Sequence, residues 1–477
     1  MFNPNDTGCP EYQTLTRRGM LSSLGGSLFN MVPQVTYTED VEPQTEPAGV
    51  GVAAASPRDI IVTIFLRGGA DGLALCPPWK DAEYANQRVN TRSLPPTNSD
   101  KLRRVIDLDG FFGLPQSMVA LLPLYKEKFL LLAHMTGSQN PNRSHFDQQH
   151  YMEVGKDDNK LATGWMARHL ASVSAQKQGA IVRALSLTGN LPEILAGAPQ
   201  TSTIVDLINF SLPGDGNTTD KRVAWLSKAY QSTDTKLASA ASNTIKTLGL
   251  LQSINYAAYK PSGGAVYNPQ FTSTKSDGST VKSDMGWDVR GFGDSMRQAA
   301  ALIKSDAGIE TVHIDYGGWD MHQNEWLFEG RNGDGSPNFG GAFWNLCSLA
   351  SNLAAFFKDL DAVSFSDGTT LMNRVTVVVM TEFGRTVNEN GNNGTDHGQG
   401  GVMMFLGRNV NGGRVDRSWK TLLSGKGIDP FGGLTVTIDY KVFFGELLDK
   451  RLGNGAQLNA VFPGFKKPLS GWRGAFK

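Results

Sequence analysis

The sequence predicts an α/β fold, with a mainly parallel sheet covered on both faces by helices. Short apolar runs recur at wide spacing, the β-branched Asp59–Leu66 first and then Phe129–Ala133, Ile181–Leu187, Thr311–Ile314, Val375–Met380 and Val402–Leu406. Helical patterns separate several of them, at Leu114–Tyr125, Trp165–Ala175, Asp294–Lys304, Phe343–Leu360 and Tyr440–Leu452. Strands that alternate with helices form parallel sheets, because each crossover returns the chain to the same end. The first run ends in Arg67-Gly68-Gly69-Ala70-Asp71-Gly72, a buried strand turning sharply on glycine.

The bulk composition narrows the function. Lys plus Arg and Asp plus Glu stand at 45 each, so no global field draws nucleic acid or an anionic membrane. With 54 glycines and 19% charged residues, the chain reads as a loop-rich enzyme rather than a coiled coil or a disordered tail. Two internal cysteines, Cys76 and Cys347, are no disulfide framework; a single bridge or two buried thiols both fit.

The N-terminus reads as an address. Thr16-Arg17-Arg18-Gly19-Met20-Leu21 precedes a mildly apolar stretch, Ser22 to Val32, and together residues 1–32 resemble a twin-arginine export signal. A chance arginine pair is the plain alternative. The stretch is too short and too polar to span a bilayer, and no other segment reaches about 18 consecutive apolar residues. The expectation is a bacterial protein passed through the twin-arginine machinery to the periplasm or the exterior, without stable membrane insertion. Residues 33–57 lack periodicity and read as a linker. Gly49 to Ala54 matches a dinucleotide fingerprint only on paper, since a strand follows it instead of preceding it. The α/β domain is expected over residues 58–189 and 291–477. Residues 190–290 mix helical stretches with small polar residues and read as an insertion or cap, with Pro261–Lys282 as an exposed loop.

Reacting groups in a parallel sheet gather beyond the carboxyl ends of strands. Four polar segments follow expected strands there, and a fifth precedes one. Asp71 follows the first run; it is either a turn residue or a metal ligand. Asn142-Arg143-Ser144-His145 follows the second, with Ser144 either an ordinary helix cap or a nucleophile. Asp320 and His322 follow the Thr311 run; in extended backbone, residues two apart share a face and reach one ion, although a solvated loop also fits. Glu382, after a buried strand, needs a partner, either a metal or Arg385. Asp396 and His397 lie among glycines just before Val402, where an imidazole has little to pack against. Together these residues form an oxygen-and-nitrogen set for one or two divalent cations. A bound metal turns Ser144 into a nucleophile. Arg143 and Arg385 are placed to clamp a phosphate or sulfate, aided by the helix amides after Ser144.

Five motifs carry a family resemblance: Leu66-Arg-Gly-Gly-Ala-Asp-Gly-Leu73, Arg143-Ser-His-Phe-Asp-Gln-Gln149, Gly317-Gly-Trp-Asp-Met-His322, Thr381-Glu-Phe-Gly-Arg-Thr386 and Gly394-Thr-Asp-His-Gly398. In this order they resemble the exported proteins called domain of unknown function 1501, over roughly residues 58–455. That family is similar, more distantly, to the alkaline phosphatase and sulfatase superfamily. The resemblance implies a three-layer α/β/α sandwich with a divalent-metal site at the strand ends, holding zinc, manganese, calcium or magnesium. It implies Asp71, Asp320, His322, Glu382 and His397 as metal ligands, with Asp396 and His145 as ligands or supporting groups. Ser144 takes the nucleophile position, and Arg143 or Arg385 the anion-stabilising one. In a second register Asp396-His397-Gly398 is itself the superfamily's Asp-His-Gly; strand order favours Glu382 in the Asp role. Phe383 departs from the pattern by replacing a ligand histidine. The implied activity is hydrolysis of a phosphate or sulfate ester on a small molecule or glycan. The alternative is a non-catalytic scaffold or carbohydrate-binding protein on the same fold.

Overall fold

The computed structural model describes residues 58–212, 219–231, 235–284, 287–325 and 327–477. The export segment, Cys9, the linker and the Gly49–Ala54 stretch lie outside them. A nine-stranded sheet organises the chain. Its strands are β1 Ile60–Leu66, β2 Leu130–Gly137, β3 Ala184–Ser186, β4 Thr201–Thr203, β5 Thr311–Tyr316, β6 Val375–Thr381, β7 Gly401–Leu406, β8 Arg414–Asp416 and β9 Ile438–Asp439. They lie in the order β8-β2-β7-β6-β1-β5-β3-β4, and β9 also pairs with β2. Every pairing is parallel except those of β7, which runs against both β6 and β2.

The strand sequences explain the layering. β1, β2, β6 and β7 are buried along their lengths or nearly so, as strands covered on both faces must be. Alternate side chains of β1 enter different cores. Val62, Ile64 and Leu66 pack with Met296, Leu349 and Phe356, whereas Ile61 and Phe65 pack with Met152, Trp165 and Phe443. The first core lies beneath α5 (Trp287–Lys304) and α6 (Gly341–Asp361). The second lies beneath α1 (His145–Val154), α2 (Trp165–Ala171) and α7 (Tyr440–Lys450). The result is the expected three-layer α/β/α sandwich.

Some details differ from the sequence reading. The sheet reaches into the 190–290 segment, because Thr201–Thr203 pairs with β3 as an edge strand. The rest of that segment holds the helices α3 (Thr219–Gln231) and α4 (Thr235–Ser253). A hairpin, Phe271–Thr274 with Thr280–Ser283, occupies what the polar composition suggested was plain loop. The Leu114–Tyr125 pattern forms a 3-10 turn at Gln116–Leu121 and a short helix at Leu122–Lys126, where Pro123 fits the first helical turn. Cys76 and Cys347 are free, buried thiols. Among the described residues no helix is long and apolar enough to cross a membrane.

Topology places the ends that matter together. Leu66 pairs with Thr381 and with Tyr316, so β1, β5 and β6 end at one level. Gly401 pairs with Thr136, so the start of antiparallel β7 joins them.

Two buried histidines, His134 within β2 and His169 within α2, serve packing. Burial holds His134 and His169 down at about 4, so both are neutral at physiological pH. The unfolded chain binds these protons near pH 6.5 and the folded chain only near pH 4. Their contribution is therefore intact above pH 6.5 and lost as pH falls through 4, by about 3 kcal/mol each. Urea unfolding of metal-free protein should show this acid loss, and imidazole NMR should find both rings still neutral at about pH 5. Protonated rings at that pH would refute it.

Candidate metal centre

Three imidazoles and one carboxylate converge at the strand ends. His145 opens α1, Asp320 and His322 follow β5, and His397 precedes β7. Ligand atoms of His145, Asp320 and His397 all lie within 4.8 Å of one another. The Nε2 of His397 is 3.1 Å from the Nε2 of His145 and 3.1 Å from that of His322. Asp320 completes the set: its Oδ2 is 3.5 Å from His145 Nε2, and its Oδ1 is 3.1 Å from His322 Nε2 and 3.4 Å from His397 Nε2.

The opposite nitrogen of each ring fixes its tautomer. His145 Nδ1 donates to Glu382 Oε1 at 2.8 Å, His322 Nδ1 to Asp396 Oδ1 at 2.9 Å, and His397 Nδ1 to the Arg143 carbonyl at 3.0 Å. Carboxylates and carbonyls only accept, so Nδ1 carries the proton in all three rings. A neutral ring then presents its Nε2 lone pair to the shared centre, and a protonated ring presents an Nε2–H to Asp320. This is the pattern of metal-bound histidines, whose far N–H is held by an acid or a carbonyl.

The electrostatics agree. Burial alone would raise the Asp320 carboxyl, yet hydrogen bonds from the three imidazoles and the Arg385 charge hold it far below the usual range. Burial would lower His145, but Asp320 and Glu382 outweigh it and push the ring up to about 9. Asp320 raises His322 as well. The centre therefore attracts positive charge, as a proton or as a cation.

Glycine lets the β1 turn come close. Gly68 has φ +121°, and a Cβ there would come within 2.5 Å of the Asp320 backbone nitrogen. Its own amide donates to Glu382 Oε1 at 2.8 Å. At Gly69, φ is +73° and an added Cβ would overlap the Phe383 ring.

The motifs that build this centre belong to one family. The family model described as protein of unknown function DUF1501 matches residues 58–422. The chain is a member of the DUF1501 family. No curated protein matches it. Solved chains that it resembles loosely include the C-terminal periplasmic domain of EcEptC from Escherichia coli in complex with zinc. That likeness has a TM-score of 0.34 at 10% identity, over 87% of this chain and 89% of the other. Another is a chain from work on the metabolism of multiple glycosaminoglycans by Bacteroides thetaiotaomicron. Its TM-score is 0.32 at 11% identity, over 84% of this chain and 74% of the other.

The remaining residues singled out in this DUF1501 sequence surround the centre in different ways. Glu382 is fully buried, and its oxygens accept from His145, the Gly68 amide, Gln149 Nε2 at 3.0 Å and Thr381 Oγ1 at 3.0 Å. Asp71 stands apart from the converging set; Arg88 holds both its oxygens, at 2.7 and 3.1 Å, and it caps the short helix Gly72–Leu75. Ser144 occupies the cap position of α1, but its side chain makes no cap bond and Asn142 Oδ1 already accepts from its amide. Arg143 grips Asp429 with Nη2 at 2.9 and 3.0 Å, and its Nη1 donates to the His397 and Phe431 carbonyls. Arg385 is buried. It donates to the carbonyls of Gly68, Gly69, Trp319 and Thr395 and to Asp320, tying together the loops that follow β1, β5 and β6.

Sequence reading missed Arg88 and Glu325. Glu325 is buried, accepts from Thr395 Oγ1 at 2.6 Å, and is raised to about 7 by burial and by Asp71. Neither carried a local signal, since a lone charged residue in a polar stretch looks solvated. Arg88→Met would leave Asp71 buried and unpaired. It should lower stability by about 3–5 kcal/mol, measured by urea unfolding. A loss under about 1 kcal/mol would show that the pair is not what holds Asp71.

Proposed function

We propose that this protein is an exported metal-dependent hydrolase of phosphate or sulfate esters, with a divalent cation at the His145, Asp320 and His397 cluster. One observation supports this above the rest. Nε2 atoms face each other at 3.1 Å while an acceptor holds each Nδ1, so neutral rings bring lone pairs together and repel unless a proton or a metal ion sits between them. The donor set fits a divalent metal, through two or three imidazole nitrogens and one carboxylate. Such a cation supplies Lewis acidity and lowers the pKa of a neighbouring hydroxyl.

Ser144 is the proposed nucleophile. It adjoins His145, is partly exposed, and keeps its hydroxyl out of the helix cap. The first amides of α1 are the proposed anion contacts on the ester. Arg143 and Arg385 position backbone in this reading: their guanidiniums bind carbonyls and acids of the protein itself. The motif likeness to the phosphatase and sulfatase superfamily supports the reaction class, and the Arg17-Arg18 segment supports export to the periplasm or beyond. The substrate class is a small-molecule or glycan ester.

The engagement of both guanidiniums favours a second reading, a metal-bearing scaffold or carbohydrate-binding protein without chemistry. Turnover of aryl phosphate and aryl sulfate esters separates the two, measured with zinc, manganese, magnesium and calcium in turn. The hydrolase reading expects turnover with at least one metal and a loss on the order of 10³-fold or more in Ser144→Ala. Inactivity with every metal, or a Ser144→Ala protein as active as the parent, sinks it.

A further inference from the structure

The geometry points to a mononuclear, imidazole-rich centre: one transition cation of the zinc class, held by His145, His322, His397 and Asp320, with no seat for a second ion. The inference rests on the metal reading above and narrows it in two ways, by count and by kind.

The count follows from where the other acids are spent. A second cation needs carboxylate oxygens that face the first and lack protein partners. Arg88 takes both oxygens of Asp71 in a buried ion pair. Glu382 accepts from four protein donors, one of which is His145 itself. Asp396 stands behind the His322 ring, at Nδ1 and away from the Nε2 side that meets the centre, and its Oδ1 also accepts from Asn390 Nδ2 at 3.2 Å. Glu325 is buried beside Asp71 and bonded to Thr395. Phe383 then closes one side. Its ring centre is 4.8 Å from that of His145 and 4.9 Å from that of His397, and it offers no donor atom. Among the described residues, His145, Asp320 and His397 are the one group whose ligand atoms all lie within 4.8 Å of one another, and His322 joins it through His397 and Asp320.

The kind follows from the donors. Magnesium and calcium take oxygen ligands, six or more at a time, whereas imidazole suits zinc and its neighbours. Metal–nitrogen bonds of about 2.0–2.1 Å around a tetrahedral ion place the donor atoms roughly 3.3 Å apart. His397 Nε2 lies 3.1 Å from the Nε2 atoms of His145 and His322, and Asp320 meets the three rings at 3.1 to 3.5 Å, through Oδ2 for His145 and Oδ1 for the other two. His322 belongs to this set. Its Nε2 is as close to His397 as that of His145, and Asp396 holds its far nitrogen as Glu382 holds that of His145.

The test strips metal from the full protein, reloads it with zinc, manganese, magnesium or calcium, and counts bound ions by elemental analysis. X-ray absorption on the zinc form counts imidazoles. The expected result is one zinc per chain, three imidazoles, and no stoichiometric magnesium or calcium. His322→Gln and, separately, Asp396→Asn should weaken zinc binding about ten-fold or more, with the melting temperature of the metal-free His322→Gln protein no lower than the parent's. Two ions per chain, calcium or magnesium retained in competition with zinc, or a fit with two imidazoles would each overturn the inference. So would a His322→Gln protein that folds and binds zinc as the parent does. If that variant does not fold, the parent's imidazole count decides. One zinc without ester turnover removes the hydrolase and leaves this centre standing; turnover with two ions does the reverse.

Discussion

Like poles held face to face organise this molecule. Three imidazoles turn their Nε2 atoms to a common point beside Asp320, where neutral rings repel one another, and each is prevented from turning away by an acceptor behind it. Rotating one ring to relieve the repulsion would break its bond to Glu382, Asp396 or the Arg143 carbonyl. The strain is removed only by positive charge at the centre. Much of the surrounding architecture reads as support for that arrangement. Arg385 binds the loops from β1 and β5 to its own, and the two glycines after β1 let the backbone approach closely enough for the Gly68 amide to hold Glu382.

Much of this was legible in the sequence. Apolar runs separated by helical patterns gave the sheet and its two covering layers. Asp320 and His322, two residues apart after a strand, were visible as a pair that reaches one ion. His397 stood out because an imidazole among glycines has no core to join. Ser144-His145 stood out as a helix start after β2. These segments lie in the order β1, β2, β5, β6, β7 along the chain but β2, β7, β6, β1, β5 across the sheet, so local pattern marked the members of the site and the topology brought them together.

What stayed hidden depended on distance. A buried strand-end acid is expected to have a partner, but the chain does not say whether that partner is a metal or an imidazole. Glu382 is bonded to His145, a residue 237 positions away. Asp71 carried the family's motif, yet its oxygens are held by Arg88, which has no motif of its own. Edge strand β4 is three residues long, too short for any periodicity to announce it. The reversed direction of β7 was equally invisible, since an apolar run has no arrow.

That reversal has a consequence for how the protein tolerates change. Because β7 runs back along β6, one connection leaves the sheet at Glu382 and re-enters it just past His397. The support for one ring and a neighbouring ring itself thus hang from the two feet of a single arch. Lengthening or trimming the arch would move both feet together. The outlying Phe271–Ser283 hairpin shares no such duty, so insertions accumulating in family members should favour it and spare the arch.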